Sequence, residues 1–163
     1  MLGVHFAITA EQERALLAAA DDVDDDAVSG LLDEIEEAGW DGDALKVDTD
    51  KAWDAIHRCL TDGGLDSDAG EYPLSHAILG GRDMHEDFYV VYVTADEARD
   101  VAAALQEIDH GWFRQRFDAI DDPEYRGALD EADFEYTWAN FDDVRRFYTN
   151  AAAAGRAVLF TAT

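Results

Sequence analysis

Cysteine is almost missing from this chain. Cys59 is the single one among 163 residues, so no internal disulfide framework can hold the fold. Positive charge is scarce too: two lysines and ten arginines stand against 38 Asp and Glu, for a formal net charge of −26. That balance argues against a nucleic-acid partner, because phosphates are read by clustered Lys and Arg. It argues equally against an anionic membrane surface. No apolar run approaches the roughly 18 residues of a membrane helix. No two of the five histidines have His-x-x-x-His spacing and no Cys/His cluster occurs, so neither a zinc site nor any other metal or cofactor is expected. Gly63-Gly64 and Gly80-Gly81 lack the lysine and spacing of a phosphate loop and read as helix stops.

Apolar residues make up 48% of the chain and aromatic residues 11%. That is enough to offset the entropy of ordering despite the charge. The length suits a single domain over 1–163. The acid is uneven: residues 1–45 hold 13 Asp and Glu against one basic residue, Arg14. Such a surface suits cations and basic proteins; a plain alternative is a solvated skin adapted to high salt. Asp22-Val23-Asp24-Asp25-Asp26 fails as a calcium loop, since Ala27 stands at the sixth position and Asp33 at the twelfth. The opening Met1–Ile8 lacks a basic leader and reads as a strand rather than a signal peptide. A cytoplasmic location is therefore expected.

Strands are expected near 2–8, 88–93 and 157–161, with a fourth at 44–47, from short apolar β-branched or aromatic runs. Thr9-Ala10-Glu11-Gln12 and Thr94-Ala95-Asp96-Glu97 carry the capping-box pattern and open helices. Further helices are expected over 27–38, over 51–60 with Asp48-Thr49-Asp50 as its cap, near 112–117, and over 141–154 with Asn140 as its cap. Five to six helices on a small sheet make an α+β fold.

On the 51–60 helix, Ala52, Trp53, Ile56 and Leu60 share an inward face at about 100° per residue. Asp50, Asp54 and His57 fall just beyond its edge. A carboxylate beside an imidazole can orient it and raise its pKa, as a general base needs; the plain alternative is a packed histidine and a helix cap. Tyr72, Ser75 and His76 form a second group. A serine next to a histidine in sequence is no triad, and no Gly-x-Ser-x-Gly elbow surrounds Ser75. Asp54, His57 and His76 are thus the catalytic candidates, and Asp50, Trp53, Tyr72 and Ser75 the binding candidates.

The run from Asp50 to Thr61 (DKAWDAIHRCLT) and the run from Pro73 to Gly81 (PLSHAILGG) resemble the YfbM-like family, small bacterial proteins classed as a domain of unknown function. Tyr92–Glu97 and Phe147–Leu159 extend the likeness through most of the chain. The resemblance implies an α+β domain in the bacterial cytoplasm, and no activity or catalytic residue. With no catalytic motif in view, the leading expectation is a non-enzymatic acidic binding protein that neutralises a basic partner such as a toxin. The alternatives are a small hydrolase or transferase using Asp54, His57 and His76, or acidity that reflects adaptation to salt alone.

Overall fold

The structure, a computed structural model, describes residues 1–39 and 43–163. Five strands form one sheet in the order β2-β1-β5-β4-β3, with every neighbouring pair antiparallel. They are β1 (Gly3–Ile8), β2 (Lys46–Asp48), β3 (Arg82–Asp83), β4 (Tyr89–Val93) and β5 (Ala157–Ala162). The central trio reads as unbroken apolar sequence because both of its faces are covered. Side chains alternate across it: Ala7, Val91, Val93, Val158 and Phe160 enter one core, whereas Phe6, Ile8, Val90, Tyr92 and Leu159 enter the other.

The smaller core is closed by α1 (Ala10–Asp21) and α2 (Asp25–Ala38) through Leu16, Val28 and Ile35. The larger lies under α3 (Ala52–Leu60), α4 (Ala95–Gln106), α5 (His110–Asp118) and α6 (Glu131–Ala153). The fold is α+β, as the sequence indicates. Both capping boxes form: Thr9 pairs with Gln12, and Thr94 with Glu97. Asp24, Asp109 and Asp130 cap α2, α5 and α6 through single side-chain bonds.

Two sequence expectations need correction. Asn140 does not cap the last helix. Asp130 does, accepting from the Asp133 amide, so α6 begins ten residues earlier, and Asn140 Nδ2 donates to Tyr136 O within it. Nor do Asp48, Thr49 and Asp50 cap α3 with a side chain. Thr49 Oγ1 donates to Gly3 O instead, and Asp48 Oδ1 accepts from the Asp50 amide, tying the turn to β1. A two-residue strand at 82–83 was not legible, because its pairing with β4 comes from tertiary contact rather than pattern.

Candidate functional site

α3 is the hinge of the site. Its start is held against β1, where Gly3 N–H donates to Asp50 O and Thr49 N–H to Gly3 O. Gly3 leaves room for the Trp53 indole: a Cβ there would stand 2.5 Å from Trp53 Cδ1. Trp53 therefore packs on Tyr89 and Phe160 at centroid distances of 5.6 and 5.7 Å, and its Nε1–H donates to Met1 O. Asp50 sits at φ 49°, in the left-handed region that residues bearing a Cβ disfavour. The Tyr136 hydroxyl from α6 braces it, donating to Asp50 Oδ2 at 2.7 Å while accepting from the Lys51 amide.

One turn further on, Arg58 is buried. Its guanidinium donates to Asp54 at 2.6 Å, to Asp122 at 2.5 Å and to the Gly63 carbonyl, and it lies 5.4 Å from the Tyr125 ring centroid. Asp122 is held below the usual carboxylate range, first by the Glu124 amide and then by Arg58. This clamp fixes the 119–130 segment beside α3 and so places Tyr125 and Arg126. Tyr125 donates to Asp133, and burial followed by that bond raises its pKa.

Between these parts opens a cleft of about 750 Å³, the largest of the main cavities, within the range of small-molecule sites. Trp53, Tyr89, Leu65 and Tyr125 supply apolar surface, and Asp50, Lys51, Asp54, Arg126, Asp133, Tyr136 and Thr137 the polar groups. Thr137 has no exposed surface, and its hydroxyl has no hydrogen-bond partner.

Three of the candidate residues meet here: Asp50, Trp53 and Asp54. His57 does not join them. It is 1% exposed, lines none of the main cavities, and meets Asp66 O at 2.8 Å through Nε2. A carbonyl only accepts, so Nε2 carries the proton and the buried Nδ1 is bare. Burial lowers the His57 pKa and outweighs the Asp66 bond and the Asp54 charge. Asp54 bonds Arg58, so the Asp54–His57 dyad is not formed as a hydrogen bond.

The second candidate group lies elsewhere, against the start of α4. Ser75 Oγ meets His76 Nδ1 at 3.0 Å, and His76 Nε2 faces Glu97 Oε2 at 3.4 Å. Tyr72 stands edge-on to His76 and donates to Asp100 at 2.5 Å, which raises its pKa to about 12. The order serine, imidazole, carboxylate is that of an acyl-transfer relay. Ser75 is nonetheless buried, none of the three lines a main cavity, and Glu97 also serves as a helix cap. Cys59 is inert, with burial pushing its thiol up to about 12. Among the described residues, no group of three His, Cys, Asp or Glu side chains converges to hold a metal ion, and no helix is long and apolar enough to cross a membrane.

A family described as a domain of unknown function, DUF1877, matches residues 1–161. The chain belongs to the DUF1877 family. The crystal structure of YfbM from Escherichia coli, a protein of unknown function, is similar with a TM-score of 0.69 at 21% identity, over 99% of each chain. At that identity the likeness establishes a shared fold, and it bears out the YfbM-like resemblance read at 50–61 and 73–81. No protein of curated function matches. Within this DUF1877 member, Tyr89, Tyr125, Arg126, Tyr136 and Thr137 escaped sequence reading. The Asp130-x-x-Asp133 spacing, which starts α6, was the signal that would have found the last two.

Proposed function

We propose that this chain is a non-enzymatic binding protein, a single bacterial domain over 1–163 whose ligand site is the cleft between α3 and α6. The observation that carries the reading is the pairing of an aromatic-walled cavity with an unpartnered buried hydroxyl, Thr137, in its lining. A buried polar group without a partner costs stability, and of the three such groups among the described residues Thr137 is the one that lines the cleft. The loss of His57 to the interior removes the dyad on which a hydrolase would rest.

The test is a fragment screen on the ¹⁵N-labelled protein, read as amide shift changes. Binding in the cleft moves residues 50–54, 125–127 and 133–137 together. Shifts that cluster elsewhere, or none at any fragment, sink the proposal.

A second reading keeps the basic protein partner and assigns it to the other face of the sheet. Asp22, Asp26, Asp33, Glu34, Glu36 and Glu37 are all exposed on or beside α1 and α2, where Arg14 is the one basic residue between 10 and 39. Capture from a bacterial lysate at low salt, with and without these six changed to Asn and Gln, decides it. If the neutralised chain retains the same basic proteins, the reading fails.

A further inference from the structure

The chemical class of the ligand follows from which polar groups in the cleft are already used, if the cleft is the binding site proposed above. Its three carboxylates are engaged. Asp54 accepts from Arg58, Asp50 from Tyr136, and Asp133 from Tyr125 and the Leu129 amide. Its two cations are not. The side chains of Lys51 and Arg126 are exposed and make no ion pair, hydrogen bond or ring contact among the described residues.

Half of the twelve basic side chains are engaged by carboxylates. Arg58, Arg82, Arg99, Arg114, Arg145 and Arg146 all pair with carboxylates. Arg116 lies over the Trp112 ring and Arg156 donates to the Ala7 carbonyl, whereas Arg14, Lys51 and Arg126 are basic side chains with no such contact among the described residues. Lys51 and Arg126 face one cavity. The first turn of α3 opens on the same cavity with no side-chain cap, so the Trp53 and Asp54 amides and the positive end of the helix lack a side-chain acceptor. Thr137 adds a hydroxyl that is free to donate. The α3 amides, Lys51, Arg126 and Thr137 together offer hydrogen-bond donors and positive charge beside the apolar surfaces of Trp53, Tyr89 and Tyr125.

We propose that the cleft binds a small organic anion: a carboxylate or phosphate on a planar apolar body. The body lies against Trp53 and Tyr125, and the anionic head takes the α3 amides, Lys51 and Arg126.

Three probes with one body and different heads test this: indole-3-acetate, indole-3-acetamide and tryptamine, titrated at millimolar concentration and followed at residues 50–54 and 125–137. Indole-3-acetate is expected to bind about tenfold more tightly than the neutral amide, and the charge-assisted contacts that make this difference are lost in the double variant Lys51→Gln/Arg126→Gln. Thr137→Val, a near-isosteric change, is expected to weaken the anion severalfold while leaving the fold intact. If tryptamine binds as tightly as the acetate, or the double variant keeps the preference, the anion assignment is overturned while the cleft remains a site. If none of the three binds although neutral fragments cluster in the cleft, the assignment likewise falls. If no fragment binds there at all, both readings fall.

Discussion

The two faces of the sheet are built to different rules. Under α1 and α2 the core is small and the outer skin is acidic; its one buried histidine, His85, bonds Ser29 and the Asp87 amide. Under α3–α6 the core is larger, and it holds all three buried polar atoms left without a partner among the described residues: His5 Nδ1, His57 Nδ1 and Thr137 Oγ1. Buried Arg58 belongs to this face as well. One side of the molecule is thus tuned for closure and solvation. The other carries uncompensated polarity, and there the main cleft opens. The acidic skin and the main cleft lie on opposite faces of the sheet.

The contrast can be broken by mutation. Phe113 stacks on Phe141 at 4.6 Å and packs against Trp138, so Phe113→Ala should cost about 3–5 kcal/mol. Val28→Ala, fully buried in the smaller core, should cost less, roughly 1–3 kcal/mol. Urea denaturation of both variants checks the ranking, and equal losses would erase the distinction between the two cores.

Acid should act through the polar face. His5 is fully buried among Phe147, Tyr148 and Phe160, and desolvation lowers its pKa to about 4 despite its bond to Ala77 O. The unfolded chain binds that proton near pH 6.5 and the folded one only near pH 4, so stability present above 6.5 is lost as pH falls toward 4. For this one group the loss is about 3 kcal/mol, and His57 shifts in the same direction. Tyr148 also donates to Ala77 O, at 2.9 Å, so His5→Phe leaves no orphaned carbonyl. That variant should be near wild type at pH 7 and visibly more stable at pH 5, as thermal melts at the two pH values would show.

Arg58→Met removes the clamp between α3 and the 119–130 segment. Its carboxylate partners keep some exposure, 23% and 27% of the side chain, so the expected loss is about 2 kcal/mol, below that of a fully buried pair. Broadened amide signals at 122–127 should accompany it. The smallest effect belongs to the acidic skin: Glu34→Gln with Glu37→Gln should move stability by less than about 0.5 kcal/mol in dilute buffer. If the acidity serves salt adaptation, the melting temperature of the parent chain should climb steeply in molar KCl and these variants should blunt the climb.

Sequence reading found the three core strands and the two capping boxes, because period and cap chemistry are local. It placed Trp53, Asp50 and Asp54 together for the same reason, since they share one helical turn. It did not find the far wall of the cleft. Taking Asn140 as a helix start hid Tyr136 and Thr137, which a helix begun at Asp130 turns toward α3. It also paired Asp54 with His57 by spacing, where Arg58 outcompetes a neutral imidazole for the carboxylate. Choices between neighbours on a helix are settled by charge and by residues distant in sequence, such as Asp122, and spacing is silent on both.

The position of β5 has a consequence for how the molecule is made. β5 follows the other four strands of the sheet in sequence, yet it lies between β1 and β4. Until residues 157–162 are available, those two strands expose facing rows of unpaired amides and carbonyls. A ribosome stalled anywhere short of residue 157 therefore holds a half-sheet with a vacant slot at its centre, shaped to accept any passing strand. For this fold, the hazard of incomplete synthesis lies in the codons for residues 157–162.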